Sequence, residues 1–193
     1  MPDRGLFWSP APDWAHATIR HEALSVVALA PRAAWLVSGN LTAFLRRRGV
    51  DIGHAANRGN YALRLAPDRL LFVSLDSAAD DVTLGWTEGG CAATDVSDAF
   101  VLFDIAGPAA LEVMRLSALH DFEATSPADA SAAMLFAGQL VILSHTQLGW
   151  RLHVERPDAA AIWQWLQRAA SEWAKPPSDG AGRSEPSRTL AEQ

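Results

Sequence analysis

Residues 94–122 read TDVSDAFVLFDIAGPAALEVMRLSALHDF and contain a polar turn, an apolar strand, a hinge and a helix in direct succession. Residues 99–106 are almost all apolar, which is typical of a strand covered on both faces. Either this chain or a partner protein covers the second face. Gly107 permits the turn that follows, and Pro108 suits the first position of a helix. Helical spacing then predicts one apolar face formed by Leu111, Met114 and Ala118.

The sequence before this unit predicts two strands, a helix and a hairpin. Residues 24–29 and 34–37 are short apolar runs separated by a proline turn. Asn40 is expected to cap the helix, because its side chain accepts hydrogen bonds from early backbone amides. Gly49 is expected to end the helix. The buried stripe between them consists of Leu41, Phe44 and Leu45. Residues 61–75 alternate around a Pro-Asp turn and predict a hairpin.

The sequence after this unit predicts three more strands and a final helix. Residues 134–136 and 139–145 are apolar runs that meet at a glycine. Residues 148–155 alternate cleanly, so one face is expected in the core and the other in solvent. The inward side chains are Trp150, Leu152 and Val154, and the outward ones are Arg151, His153 and Glu155. Pro157 is expected to break this strand and Asp158 to cap the final helix.

Both halves place strands before a helix and contain a hairpin, which predicts an α+β fold. We expect a pseudo-duplicated antiparallel sheet with helices packed on it, rather than a doubly wound parallel sheet. Residues 1–22 are predicted to be an irregular arm, because they are rich in proline. Residues 23–173 form the domain, and residues 174–193 a disordered tail. Residues 76–90 fit a short helix or an extended loop, and residues 123–133 a loop.

Composition limits the classes of function. The 193 residues are 49% hydrophobic and carry a net charge of −6, which argues against binding to nucleic acid or an anionic membrane. No apolar run reaches the ~18 residues of a membrane span and no secretory signal is present, so a cytoplasmic location is expected. Cys91 is the only cysteine, which excludes an internal disulfide, and a packed or surface bystander is favoured over a nucleophile. Lys175 is the only lysine.

Tryptophans and arginines are the candidate contact residues. Trp8 and Trp14 lie in the predicted arm, which is expected to lie against this domain or against another subunit. Trp163 flanks the apolar stripe of the final helix and is either a core residue or a contact residue. The last turn of the first helix carries the basic triplet Arg46, Arg47 and Arg48. These charges complement the helix dipole, and they could also bind phosphate or an acidic partner.

Motifs for catalysis are missing from the sequence. It has no dinucleotide fingerprint, no phosphate-binding loop and no nucleophile elbow. Its six histidines do not have metal-ligand spacing, and the neighbours His120 and Asp121 point in different directions on a helix. The cluster of Asp95, Ser97 and Asp98 satisfies backbone amides in a tight turn, or contacts a ligand or a neighbouring subunit. We expect no catalytic residue, cofactor or metal on this chain.

The segment DVSDAFVLFDIAGPAALEVM, residues 95–114, resembles the signature of folate-binding-domain proteins related to the glycine cleavage T-protein. Within that group, the chain looks most like the γ subunits of bacterial heterotetrameric sarcosine oxidases. Three further segments are similar to those subunits: LTAFLRRRGVDIGHAAN at 41–57, ALRLAPDRLLFV at 62–73 and WRLHVERPDAAAIWQWL at 150–166. The resemblance covers about residues 24–170 and lies in the order of the motifs.

The resemblance implies a fold like the N-terminal, folate-binding domain of aminomethyltransferases. It also implies an accessory role in a complex that oxidatively demethylates sarcosine or a related N-methyl amino acid. In that family the α and β subunits are expected to hold FAD, FMN, NAD and tetrahydrofolate, and the β subunit contains the amine-oxidising site. The δ subunit is expected to hold zinc. This chain would be the γ subunit, with α, β and δ subunits as its partners.

The chain departs from the family after its central helix, where residues 116–122 read LSALHDF instead of Gly-Cys-Pro-Leu-Asp-Leu. This departure bears on which N-methyl amine the complex oxidises. Two alternatives to the accessory subunit are considered. A stand-alone folate-like binding module would need converging polar groups, for which Asn57, Arg69 and Asp95 are the nominees. An independent aminomethyltransferase would need additional domains for which 193 residues leave no room.

Overall fold

The structure is a computed structural model that describes residues 11–53, 59–75, 82–118, 122 and 131–173. The described residues form eleven strands and three helices. In chain order they are β1 (Thr18–Arg20), β2 (Ser25–Leu29), β3 (Ala33–Gly39), α1 (Leu41–Arg48), β4 (Asn60–Ala66), β5 (Arg69–Ser74), β6 (Gly85–Trp86), β7 (Cys91–Asp95), β8 (Phe100–Ala106), α2 (Ala110–Ser117), β9 (Ser131–Phe136), β10 (Gln139–His145), β11 (Gly149–Glu155) and α3 (Arg156–Trp173). Not one of these three helices has the length and apolar character needed to cross a bilayer.

The strands form two sheets, and every pairing between named strands is antiparallel. The first sheet has the order β1-β2-β8-β11-β10-β9, and the second has the order β4-β5-β3-β7-β6. Each sheet contains one strand–helix–hairpin unit, β3-α1-β4-β5 in the second and β8-α2-β9-β10 in the first. The α+β prediction is therefore confirmed, with two sheets in place of one.

The two sheets pack face to face, and helices cover both outer faces. Helices α2 and α3 cover the first sheet in a core that includes Phe103, Val113, Leu152 and Leu166. Helix α1 covers the second sheet, where Phe44 packs with Phe72. The layer between the sheets is lined by Ala34, Tyr61, Leu63, Leu71, Val73 and Leu102. The result is a four-layer arrangement, with the sheets inside and the helices outside.

Strand β8 lies at the centre of the first sheet, between β2 and β11. Its residues Val101, Phe103 and Ile105 pack in the helix-covered core, while Leu102 packs against the second sheet. Both faces of this apolar strand are thus covered by the chain itself. The alternative, a partner covering one face of β8, does not hold, so the apolar run by itself gives no reason to expect a partner.

Most of the local predictions for the first half are confirmed. The Asn40 side chain accepts a hydrogen bond from the Ala43 amide at 3.2 Å and caps α1. Gly49 ends the helix in the left-handed conformation, with φ of 61°. The predicted hairpin forms from β4 and β5, with Leu63 opposite Leu71. These features depend on residues close in sequence, which explains why the pattern predicted them.

Several predicted boundaries are wrong. Helix α2 begins at Ala110, two residues after the Pro108 expected at its first position, and the predicted polar turn begins inside β7, which ends at Asp95. Thr18–Arg20, placed in the irregular arm, is the edge strand β1, and Ser131, placed in a loop, begins the edge strand β9. Backbone pairing with β2 and β10 recruits these segments although their own patterns are weak. Helix α3 begins at Arg156, so Pro157 and Asp158 lie in its first turn instead of preceding it. Proline is tolerated there because the first turn has no amide partner to lose.

Some predictions concern residues outside those that the structure describes. They include the first ten residues of the arm with Trp8, the nominee Asn57, the pair His120 and Asp121, and the predicted tail at 174–193. Most of the predicted loop at 123–133 and part of the segment at 76–90 also lie outside them. For these stretches the sequence-based expectations stay predictions.

Candidate functional site

A cluster of polar side chains lies between the two sheets, where a sandwich usually packs apolar residues. Arg151 on β11 and Asp104 on β8 are directly opposite each other in the first sheet. The Arg151 Nε donates to Asp104 Oδ1 at 2.5 Å, and Nη2 donates to Oδ2 at 2.7 Å. The Arg151 side chain is completely buried, and the Asp104 side chain is 28% exposed. This two-point contact is the strong geometry for an arginine–carboxylate pair.

Tyr61 extends the cluster from the second sheet. Its hydroxyl lies 2.8 Å from His153 Nε2 on β11, and His153 Nδ1 lies 3.0 Å from the Ile142 carbonyl on β10. The carbonyl can only accept, so Nδ1 carries the proton, and the tyrosine hydroxyl donates to Nε2. The Arg151 guanidinium lies 5.4 Å from the centre of the Tyr61 ring. A continuous set of polar contacts therefore joins the two sheets.

Burial sets the protonation states of this cluster. It lowers the pKa of His153 to about 3, mainly because the imidazolium would lose its hydration, with a smaller effect from the nearby charge of Arg151. Burial raises the pKa of the Tyr61 hydroxyl well above its ordinary value. Burial also opposes the charge on Arg151, but the hydrogen bonds and negative charge of Asp104, together with the interactions with Tyr61, outweigh this effect and raise the pKa of Arg151. At neutral pH the cluster holds a neutral histidine, a neutral tyrosine and one ion pair.

Three members of the cluster are closed to solvent, whereas Asp104 at its edge is partly exposed. Tyr61 is 2% exposed, His153 is 1% exposed and Arg151 is fully buried, so a substrate cannot reach them in this conformation. The prediction that Arg151 and His153 face solvent is wrong, because the second sheet covers that face of β11. One signal was present in the sequence. Strand β5 is apolar at its four central positions, which is typical of a strand buried on both faces. One face is covered by a helix, so the other face is expected to pack against a second sheet.

Lowering the pH is expected to destabilise the protein through His153. The unfolded histidine titrates near 6.5 and the folded one near 3, so the unfolded chain binds more protons between these values. The free energy of unfolding should be fully maintained above pH 6.5 and fall by up to about 1.4 kcal/mol per pH unit below it. Equilibrium urea denaturation between pH 7 and pH 4.5 measures this slope.

The variant His153→Gln isolates this contribution, because the other titrating groups remain and only the slope attributable to His153 disappears. Its overall stability is expected to be lower, but the difference in slope does not depend on that loss. The exposed residue His21 provides a matched control, and His21→Gln should keep the slope of the parent protein. Equal slopes for the parent and His153→Gln would contradict the neutral, buried histidine.

Trp14 and Trp163, the two candidate contact tryptophans that lie within the described residues, pack together. The Trp14 ring lies 5.6 Å from the Phe103 ring and 6.0 Å from the Trp163 ring, measured between centroids. Trp163 is 4% exposed and lies 5.5 Å from Phe103, so it is a core residue. Trp163 therefore exposes almost no side-chain surface that could contact a partner. Of the two positions considered for the arm, Trp14 lies against this domain.

The arginine triplet divides into two roles. Arg48 is half-buried, and its guanidinium lies 4.7 Å from the centre of the Phe44 ring and 5.5 Å from that of Phe72. This cation–π packing fixes Arg48 against the second sheet. Arg46 and Arg47 are exposed at the end of α1. Only these two arginines of the triplet have free access to a partner.

The turn at Asp95 is satisfied by its own neighbours. The Asp95 Oδ1 accepts from the Ser97 hydroxyl at 2.6 Å and from the Ser97 amide at 2.9 Å, which lowers the pKa of this carboxyl. The Ser97 oxygen accepts from the Ala34 amide at 3.0 Å, and the Asp98 carbonyl accepts from Arg156 Nε at 2.7 Å. This turn carries the chain from the second sheet into the first. Its contacts favour the structural interpretation over a ligand site.

The nominees for a folate-like site do not converge. Arg69 is paired with Ser38 on one side of β3, and Asp95 is paired with Trp35 on the other side. Three residues of β3, about 10 Å, separate the two positions along the strand. Asn57 lies outside the described residues. The geometry therefore gives no support to a binding module built from these side chains.

A cavity of about 500 Å³ lies on the outer face of the second sheet, between α1 and the strands β6 and β7. We call it the α1 cavity. Phe44, Cys91 and Ala93 are among its apolar lining, and Arg47 and Glu88 are among its charged lining. Cys91 is buried and its sulfur lies 3.3 Å from the Thr87 hydroxyl, which agrees with a packed bystander. No pattern in the sequence predicts this cavity, because its walls come from α1 and from a segment more than thirty positions away.

Six large apolar side chains are strongly exposed on the described part of the chain: Leu84, Trp86, Leu116, Leu135, Leu140 and Leu148. Trp86 lies in β6 and is 73% exposed, and Leu84 lies just before β6 and is 58% exposed. Both are near the α1 cavity. Leu135 and Leu140 are opposite each other on β9 and β10. Within the same described residues, no group of three His, Cys, Asp or Glu side chains comes close enough to hold a metal ion.

The fold defines the class of protein that this chain is similar to. The sequence matches no protein-family model and no curated protein. Among solved structures, a chain of the heterotetrameric sarcosine oxidase from Corynebacterium sp. U-96, in complex with pyrrole 2-carboxylate, matches with a TM-score of 0.70 and 20% sequence identity. The match covers 82% of this chain and 90% of that chain. The predicted resemblance to a subunit of that complex is confirmed at the level of the fold.

Proposed function

We propose that this chain is the accessory, γ-like subunit of a heterotetrameric sarcosine oxidase-like complex. The observation that carries the proposal is the extent of the likeness: four-fifths of this chain matches nine-tenths of one chain of such a complex. A match that spans nearly the whole of both chains supports an equivalent unit of assembly, rather than a common domain inside unrelated proteins. The order of motifs in the sequence supports the same assignment.

The proposed role of this chain is structural. The buried residues Tyr61, Arg151 and His153 bind one another and nearby backbone and side-chain groups between the sheets, which supports a function in holding the fold. The exposed side chains Leu84 and Trp86 beside the α1 cavity support burial against a larger neighbour, because apolar patches on a protein surface often mark interaction sites. The substrate of the whole assembly is proposed to be sarcosine or a related N-methyl amino acid. FAD, FMN, NAD, tetrahydrofolate and zinc are assigned by the same proposal to the α, β and δ subunits.

Co-expression of this chain with α, β and δ subunits from the same source tests the proposal. We expect all four chains to elute together in size-exclusion chromatography, and the assembly to oxidise sarcosine. Omitting this chain should lower the yield of intact assembly, since its partners lose a surface against which they pack. The isolated chain should not oxidise sarcosine. A stable monomer that never co-elutes with the other subunits would contradict the proposal, as would turnover of an amine by the isolated chain.

A further inference from the structure

We propose that the α1 cavity binds an acidic segment of a partner subunit. This segment inserts a bulky apolar side chain between Phe44 and Trp86. The inference rests on the proposed function and names the surface through which the chain joins its complex. The segment's carboxylates would contact Arg46 and Arg47 at the end of α1.

The shape and lining of the cavity favour an apolar anchor from a protein. Its volume of about 500 Å³ exceeds that of any one side chain, so one anchor and part of its backbone fit. Trp86 at the rim is 73% exposed and Leu84 beside it is 58% exposed. An enclosed small-molecule site would bury such groups around its ligand, whereas a protein segment covers both the cavity and its apolar rim.

The charge around the cavity selects an acidic segment. The whole chain has a net charge of −6, yet the end of α1 carries three arginines and its first turn carries no acid. Within the described ranges, neither Arg46 nor Arg47 forms an ion pair, and both are exposed. Glu88 in the cavity lining offsets only part of this positive charge. A partner with carboxylates beside its apolar anchor complements both features.

The other exposed apolar site lacks this combination. Leu135 and Leu140 form a cross-strand pair on the β9–β10 hairpin, and they line neither the α1 cavity nor the cavity beside α3. Nothing there indicates the chemistry of an occupant. Leu135 is therefore the matched apolar control for Trp86. Arg168, exposed on α3, is the matched basic control for Arg47.

Binding of this chain to the purified assembly of the other three subunits measures the effect of each variant. Trp86→Ala should raise the dissociation constant by roughly 30-fold or more, the size expected for a central aromatic anchor. The double variant Arg46→Glu, Arg47→Glu should slow association and remove most of its dependence on salt. The variants Leu135→Ala and Arg168→Glu should stay within about threefold of the parent. Circular dichroism verifies that each variant is folded.

The single lysine of the chain permits a direct test of the partner's chemistry. In the background Lys175→Arg, the substitution Arg47→Lys places the only lysine at the cavity. A water-soluble carbodiimide then joins that amine to a carboxylate that lies in contact with it, with loss of the reagent as its urea. Mass spectrometry should find a cross-link from position 47 to an Asp or Glu of a partner subunit. The same treatment of Arg168→Lys in this background should give no such cross-link.

The outcomes separate the two proposals. If the parent chain fails to bind the other subunits, both proposals are overturned. If the parent chain binds but Trp86→Ala and the double arginine variant bind equally well, the proposed function stands and the cavity is not the contact surface. A cross-link from position 47 to a second copy of this chain, or to no protein, would likewise overturn the assignment of an acidic partner segment.

Discussion

Replacing Asp104 by asparagine is expected to lower the free energy of unfolding by about 3–5 kcal/mol, the usual loss when one partner of a buried ion pair is removed. The substitution keeps the shape of the side chain and removes its charge. Arg151 then remains fully buried and loses the carboxylate with which it forms an ion pair. Because Asp104 itself is 28% exposed, water should relieve part of the penalty and place the loss near the lower limit.

Equilibrium urea denaturation at pH 7 measures this loss. Glu112→Gln is the matched control, because Glu112 forms an ion pair at 2.7 Å with Arg115 on the surface of α2. Both side chains of that pair are at least 40% exposed, and its loss is expected to cost less than about 1 kcal/mol. A loss below 1 kcal/mol for Asp104→Asn would mean that the buried pair is not an electrostatic unit.

The double variant Asp104→Leu, Arg151→Met tests the reason for the loss. Removing both charges replaces the pair with apolar groups of similar volume, so no buried charge is left without a partner. Its stability should lie above that of Asp104→Asn and near that of the parent protein. If the double variant is as unstable as the single one, the loss comes from packing rather than from the uncompensated charge of Arg151.

Replacing Gly107 by alanine is expected to lower the free energy of unfolding by roughly 3 kcal/mol. Gly107 has φ of +110°, a backbone conformation that residues with a side chain rarely adopt. In the alanine variant this backbone strain alone should cost about 1–2 kcal/mol. A Cβ atom at this position would lie 2.6 Å from the Ala23 carbonyl oxygen. That oxygen accepts a hydrogen bond from the Ala109 amide at 2.9 Å. Moving this oxygen would weaken the hydrogen bond that holds the start of α2, which should add about 1 kcal/mol to the loss of stability.

Gly138→Ala is the control that separates the cost of backbone strain from the cost of a steric clash with the added Cβ atom. Gly138 also has a positive φ, +84°, but a Cβ atom there would meet nothing within 4 Å. Its cost should be limited to the backbone term of about 1–2 kcal/mol. Thermal or urea denaturation of the two variants gives the comparison. Equal losses for Gly107→Ala and Gly138→Ala would show that the approach of Ala23 to Gly107 does not constrain the hinge.

The structure changes the reasons for expecting a partner. The apolar strand β8 and the tryptophan Trp163 are both explained by packing inside this chain. The remaining reasons are exposed features, above all Trp86 and the arginines at the end of α1. These are also the residue types that contribute most to binding in protein interfaces. A partner is therefore expected on the outer face of the second sheet rather than at the central strand.

The candidate residues chosen from the sequence divide in the same way. Arg46 and Arg47 are exposed beside a cavity, as a contact role requires, whereas Asp95 and Ser97 bind each other in a structural turn. The residue that completes the proposed contact surface, Trp86, is not among the candidates chosen from the sequence. A single tryptophan between polar residues gives no local signal, because its exposure depends on what packs above it.

The sequence alone determined the features that arise between near neighbours. The Asn40 cap, the Gly49 end of α1, the hairpin of β4 and β5 and the hinge at Gly107 each depend on side chains and backbone angles within a few residues. The sequence predicts these features because the residues that make each interaction are neighbours along the chain. The antiparallel α+β class follows from the succession of these elements.

Only the tertiary structure decided which faces are buried. The alternation of β11 is real, but the sequence cannot say that a second sheet covers the face that carries Arg151 and His153. Burial of that face encloses Arg151 in an ion pair with the partly exposed Asp104 and makes His153 a neutral acceptor for Tyr61, ninety-two positions away. The physical reason is that hydration is lost or kept according to contacts between distant segments, and periodicity records only that two faces differ.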